Sequence, residues 1–325
     1  MSEAGTAAPA ISRPRWRAID WREYVVYIGF VLVFLFFAVF LGETFLNPTN
    51  LSNIVIQTAP ITVMAVGLVF VLSTGEIDLS IGSVVAVSAL TGAVALRETD
   101  SALVGVLAGL AVGAVVGLVN GVFVTLVRLP SFLVTLATMG AVAGVAREIS
   151  NLQSVPVDNE TFLGLFGSGE LFGVPGLIIW SVLAIAVGYV LLNKTRYGAH
   201  VLAIGDNIGA ARVSGIKTAR VKIMVLMGSA MCASLAGLLY AGRLHGARYT
   251  LGEADLMTVI AAVIVGGTSL FGGKGTVVGA LMGSLLMGML NNGLILAHLS
   301  VSQQMIARGL IILVAVSLSL REKRS

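Results

Sequence analysis

The sequence predicts an all-α membrane protein of about ten transmembrane helices, arranged as two inverted five-helix repeats with both termini in the cytoplasm. Three observations predict it: the apolar character of the whole chain, the side on which the basic residues fall, and the recurrence of two motifs about halfway along. Of 325 residues, 57% are hydrophobic and only 11% charged, and mean hydropathy is +0.98. A soluble domain carries about 25% charged residues, so too few remain here to solvate a globule of this size. The net charge of +4 accordingly reports orientation in a bilayer and gives no reason to expect nucleic acid as a partner. The single cysteine, Cys232, permits no internal disulfide, and the three histidines lie far apart with no ligand spacing, so no metal site is expected.

A bilayer core of about 30 Å takes about 20 apolar residues in helical form. Ten such stretches run at 24–41, 54–73, 81–96, 102–126, 131–149, 176–193, 221–242, 256–270, 276–297 and 302–320. The third and eighth are short, and are expected to be tilted, broken or re-entrant where neighbours bury them. Residues 1–23 form a polar, basic N-terminal segment. No small-residue cleavage site follows the first apolar run, which is therefore read as a retained span. The transmembrane body covers 24–320, and 321–325 form a C-terminal tail.

With the N-terminus inside, 15 of the 20 Lys and Arg residues fall in cytoplasmic segments: Arg13 to Arg22, Arg128, Lys194, Arg196, Arg212 to Lys222, Lys274, and Arg321 to Arg324. An error of one span would spoil this alternation, so span count and orientation support each other. The halves also resemble each other. Gly75-Glu76-Ile77-Asp78-Leu79 recurs as Gly252-Glu253-Ala254-Asp255-Leu256, each before a short span. Gly105, Gly109, Gly113 and Gly117, ending in Asn120-Gly121, recur as Gly275, Gly279, Gly283 and Gly288, ending in Asn292-Gly293. Glycines four apart let a neighbouring helix approach closely, and inverted five-span repeats are a transporter architecture.

The polar, basic stretch Asp206 to Lys222, which overlaps a cytoplasmic loop at 194–220, separates two long apolar segments. Asp206 is suited to cap a short helix and Gly215 to end it in the left-handed conformation. About two turns lie between, too few to be stable alone in water. Ala210 and Ala211 offer a low-profile surface and Arg212 a charge near the helix C-terminus, so the segment reads as a docking helix held by a partner. An ordinary basic loop is the alternative on spacing alone.

GDNIGAARVSGIKTARVK resembles the coupling loop of sugar-type ABC transporter permeases, the ribose, xylose and galactose permease family. Three further segments resemble that family in the same order: TGEIDLSIGS at 74–83, GLVNGVFVTLVRLPSFLVTLATM at 117–139, and VIVGGTSLFGGKGTVVGALMG at 263–283. Glu76 departs from it, standing where the family has a glycine. The resemblance implies the membrane subunit of a bacterial importer in the inner membrane. It implies a second permease copy or paralogue, a cytoplasmic ABC ATPase that binds ATP and Mg²⁺, and an extracytoplasmic sugar-binding protein. This chain itself would carry no cofactor and no catalytic residue.

On that reading the ATPase-coupling residues are Asp206, Asn207, Ala210, Ala211, Arg212, Ser214 and Gly215. Candidates for the translocation pathway are Gln57, Glu76, Asp78, Asn120 and Asn292. Against a pathway role, Asp78 is suited to cap the third span by accepting from Ser80 or Ile81, and Asn120 and Asn292 to tie helices together. Arg243, His245, Arg248, Glu253 and Asp255 are candidates to seat the binding protein, with solvated loop charge as the alternative. Arg308 is expected to reach the headgroups or pair with an acid. Gly272-Gly273-Lys274-Gly275-Thr276 looks like a phosphate loop but has Thr268 at the required glycine position and Gly275 after the lysine, so ATP binding by this chain is rejected. The competing function is an ion-coupled secondary transporter of a small polar solute, which needs an intramembrane acid. A receptor or scaffold fits poorly with glycine-rich, polar-dotted spans.

Overall fold

A computed structural model describes residues 25–307, 309, 310 and 313. The segments 1–23 and 321–325, Arg308 and most of the span expected at 302–320 lie outside the described residues. In chain order the helices are α1 (Val25–Leu41), α2 (Glu43–Leu46), α3 (Pro48–Ser73), α4 (Ile81–Thr99), α5 (Ala102–Thr125), α6 (Ser131–Ser150), α7 (Glu160–Phe166), α8 (Gly176–Lys194), α9 (Arg196–Asp206), α10 (Ile208–Val213), α11 (Thr218–Arg243), α12 (Asp255–Val265) and α13 (Val277–Leu296). Four two-residue strands, β1 (Val155–Pro156), β2 (Glu170–Leu171), β3 (Val174–Pro175) and β4 (Gly246–Ala247), pair antiparallel as β1 with β4 and β2 with β3.

Among the described residues seven helices, α3, α4, α5, α6, α8, α11 and α13, are long and apolar enough to cross a membrane. The chain is all-α, and two expectations about its short spans resolve differently. The third is not short: α4 runs 19 residues, because Arg97, Glu98 and Thr99 continue the helix past the apolar run. The eighth is short. The 11 residues of α12 span only about 16 Å at 1.5 Å each. The helix stops at Gly266, and Gly267 turns the chain with φ of 90°. The first apolar stretch forms a helix of 17 residues, α1.

The buried centre is built on α3, α4 and α11, while α5, α6 and α8 turn most of their apolar surface outward. Leu107, Leu118, Leu133, Leu183 and Val187 are exposed. A water-soluble protein rarely keeps such continuous apolar surface, whereas lipid covers it at no cost. Pro48 opens α3 at its first turn, with the side chain of Asn47 accepting from the Thr49 amide. Proline there loses no helical hydrogen bond.

Glycines bring the buried helices together. On α5 a Cβ added to Gly105 would lie 3.1 Å from the Gly92 carbonyl oxygen, and one on Gly109 3.0 Å from that of Ser88, both in α4. A Cβ on Gly113 would collide with the Ser234 hydroxyl of α11 and lie 2.6 Å from the Ala230 carbonyl. The glycines of α13 do the same to other helices. Gly279 abuts the Gly266 carbonyl, Gly283 that of Ala262, and Gly288 the Thr58 hydroxyl of α3. Hydroxyl pairs tie these seams, Ser88 to Ser234 at 2.7 Å and Thr62 to Ser284 at 2.7 Å.

Candidate functional site

The segment between α8 and α11 folds as two short helices. Thr195 caps α9, accepting from the Gly198 amide at 3.3 Å, and Val201 and Ile204 bury one face of it. Asp206 is the last residue of α9 and does not cap the next helix. That cap is Asn207, whose side-chain oxygen accepts from the Ala210 amide at 3.0 Å. Aspartate and asparagine cap about equally well, so composition alone could not place the boundary. The far end closes through two bonds: the Gly215 amide donates to Arg212 at 3.0 Å and the Ile216 amide to Ala211 at 3.0 Å. Gly215 has φ of 83°, the left-handed geometry that this double closure requires.

The six residues of α10 are too few to stand alone. They are held by Ala211, which is buried, and by Ile208 and Ile216, which pack on the same core. Ala211 therefore does not belong to the outward surface on which the sequence placed it. Asn207, Gly209, Ala210, Arg212 and Ser214 are exposed, and Arg212 also bonds Thr218 at 3.4 Å. Val213 projects from α10 at 91% exposure. Sequence reasoning missed it, because one valine in a six-residue helix has no periodicity to reveal its direction.

A polar network surrounds the loop between α3 and α4. Asp78 is fully buried. One carboxylate oxygen accepts from the Ser80 amide at 3.0 Å and the Ser80 hydroxyl at 2.6 Å, and the other from the Ser229 hydroxyl of α11 at 3.2 Å. The bond from the Ser80 amide is the one the capping reading named, but it forms in the turn before the helix, and Ser80 itself holds the cap position of α4. The donors offset only part of the desolvation cost, so burial raises the carboxyl above its usual range. The Asn120 amide donates to Ser80 at 3.0 Å and accepts from Thr138 at 2.7 Å, joining α5 and α6 to the head of α4. Ser131 and Thr135 receive the amides of Ile77 and Leu79 at 3.0 and 3.1 Å. Glu76 forms an ion pair with Lys222 of α11, and both side chains are largely buried. The extra charge at position 76 is thus matched by a partner 146 residues away.

Asn292 makes a reciprocal amide pair with Asn50, at 2.9 and 3.2 Å, tying α13 to α3. Both asparagines thus occupy helix-tying positions. Gln57 is half-buried on α3. On the opposite end, the five outer residues divide. Glu253 pairs with Arg147 at 3.2 Å, whose guanidinium lies 5.5 Å from the centre of the Tyr249 ring. Asp255 accepts from Tyr240 at 2.8 Å. His245 and Arg248 are exposed and Arg243 half-buried. Arg147, 106 residues from Glu253, escaped sequence reasoning. The glycine-rich loop at 272–276 is a turn: Gly272 and Gly273 have φ of 84° and 77°, and Thr276 caps α13. Among the described residues no three His, Cys, Asp or Glu gather as metal ligands.

The family described as "Branched-chain amino acid transport system / permease component" matches residues 50–316. The chain is 42% identical over 283 residues to the ribose import permease protein RbsC of Escherichia coli K12, covering 85% of this chain and 87% of that protein. It is 35% identical over 318 residues to the L-arabinose transport system permease protein AraH of the same organism, covering 97% and 95%. It is also 35% identical over 310 residues to the L-arabinose ABC transporter permease protein AraH of Azospirillum brasilense, covering 94% and 91%. No solved structure matches the chain. The chain therefore belongs to the family of permease components of ABC importers: it is a multi-pass protein of the inner membrane and a transport subunit, not an enzyme, with ATP hydrolysis residing in a separate subunit.

Proposed function

We propose that this chain translocates a monosaccharide, a pentose or hexose, or a similarly small polyol, as one of two permease copies or paralogues in the importer. A cytoplasmic ATPase that binds ATP and Mg²⁺ docks on α10, and a sugar-binding protein docks on the opposite face around Arg147, Tyr249 and Glu253. ATP-driven closure of the ATPase pair moves α10 and switches the pathway between outward and inward access. The observation that carries this reading is α10 itself, capped at both ends, rooted through Ala211 and presenting Val213 and Ala210 outward. Likeness to ribose and arabinose permeases along most of the chain supports a pentose over the amino acids of the family's description.

Ten spans in two inverted repeats, with both termini cytoplasmic, remain our reading of the topology. It is supported by the paired contacts of Gly105 and Gly279, Gly109 and Gly283, and Gly113 and Gly288, a register one glycine further along than the sequence pairing of Gly105 with Gly275. Their partners correspond at offsets of 174 to 176 residues. The basic residues exposed beside α10, including Lys194, Arg196, Lys217 and Arg220, support its cytoplasmic placement.

The test is accumulation of D-ribose, L-arabinose and leucine in proteoliposomes holding the chain, its ATPase and its binding protein. The expected result is pentose accumulation that needs both partners and internal ATP, with none for leucine. Uphill accumulation by the chain alone would favour ion coupling. Uptake of leucine without pentose would overturn the substrate class.

A further inference from the structure

Both ends of the segment carrying α10 grip the same short turn, Ser73–Glu76, where α3 ends. On the N-terminal side the grip is backbone on backbone. Gly205 lies in the last turn of α9, one residue before Asp206, and a Cβ there would strike the Ser73 carbonyl and lie 2.9 Å from Gly272 Cα. A Cβ on Gly272 would lie 2.7 Å from Gly205 Cα and 2.9 Å from the Gly75 amide nitrogen. The Gly273 amide donates to the Ser73 carbonyl at 3.0 Å. Three chain segments thus meet with no side chain between them. On the C-terminal side the grip is electrostatic: Lys222, in the first turns of α11, pairs with Glu76. Immediately beyond the turn, Asp78 and Ser80 open the network that reaches α4, α5, α6 and α11.

We propose that Ser73–Glu76 is the element that receives motion from α10, with Gly205 and the Glu76–Lys222 pair as its two positioning contacts. Packed backbone without intervening rotamers transmits displacement and does not absorb it. The ion pair holds the other flank, so α10 cannot shift without carrying the head of α4. This proposal rests on the importer reading. It assigns a purpose to the glycine-rich loop at 272–276, which joins α12 and α13 to the same turn.

The test uses the assembled transporter of full chain, ATPase and binding protein in proteoliposomes, with D-ribose as the probe, and reads sugar moved per ATP hydrolysed. Lys222→Met is expected to leave assembly and ATP hydrolysis per complex intact, whereas Gly205→Ala forces the Ser73 and Gly273 backbone apart and is expected to lower the amount of assembled complex. The transport ratio of Lys222→Met should fall about tenfold, within the range of ordinary coupling energies. The charge-exchanged pair Glu76→Lys with Lys222→Glu is expected to restore the ratio. Purely structural damage would lower hydrolysis and transport together, so a constant ratio in Lys222→Met overturns the proposal, as does failure of the exchanged pair to restore it. If Gly205→Ala does not insert, the Lys222 and exchanged-pair arms decide the matter. Absence of the ATPase from the wild-type complex is a separate result, which sinks the importer reading and this proposal with it.

Discussion

Val213→Glu is expected to weaken ATPase binding by about 100-fold, equivalent to about 2.8 kcal/mol, while leaving the chain inserted and folded. Val213 projects from α10 at 91% exposure, so its replacement disturbs little inside this protein. At the centre of a docking surface a buried apolar anchor carries an outsized share of affinity, and a carboxylate there would be desolvated without a partner. Titration of the purified ATPase against detergent-solubilised chain measures this, and unchanged affinity would remove α10 from the interface. Ala211→Glu would be a misleading substitute. Ala211 is buried in the protein's own core, so the variant would lose stability before it reported on docking.

Gly113→Leu is expected to destabilise the fold by about 3 kcal/mol or more, at or beyond the upper end for overpacking a close-packed core. Its first side-chain carbon alone would lie 2.6 Å from the Ala230 carbonyl oxygen and collide with Ser234, so α5 must move off α11. Gly140→Leu is the matched control: Gly140 lies on α6 with nothing within 4 Å of an added Cβ, and its effect should stay within about 0.5 kcal/mol. Thermal unfolding of the two purified variants separates them. Equal stability would contradict the packing assigned to the glycine stripe. Gly288→Leu should repeat the Gly113 result, because its Cβ would collide with Thr58 of α3.

The parts of the fold that could be read from sequence are those with a local signature. Glycines four apart announce one close-packed face of a helix, and Gly105 to Gly117 do lie buried on one. Gly215 marked the end of α10 because the left-handed closure favours that residue. The overshoot of α4 to Thr99 was hidden because a hydropathy pattern ends where lipid ends, whereas a helix ends where its hydrogen bonds do. The site was less legible than the fold. Its key pairings join Glu76 to Lys222, Asp78 to Ser229, and Arg147 to Glu253, contacts between distant segments that only tertiary packing creates. Neither the cap at Asn207 nor the inward turn of Ala211 had a pattern long enough to read.

The proposed docking of the ATPase requires that α10 project from the cytoplasmic face and be covered by the ATPase. Labelling a single cysteine tests it most directly. Ala210→Cys, made with Cys232→Ser to remove the native thiol, is treated with a membrane-impermeant maleimide. No labelling is predicted in intact spheroplasts, with full labelling in inside-out vesicles stripped of ATPase and protection when purified ATPase is added back. Labelling of intact spheroplasts, or no protection by the ATPase, would contradict the account.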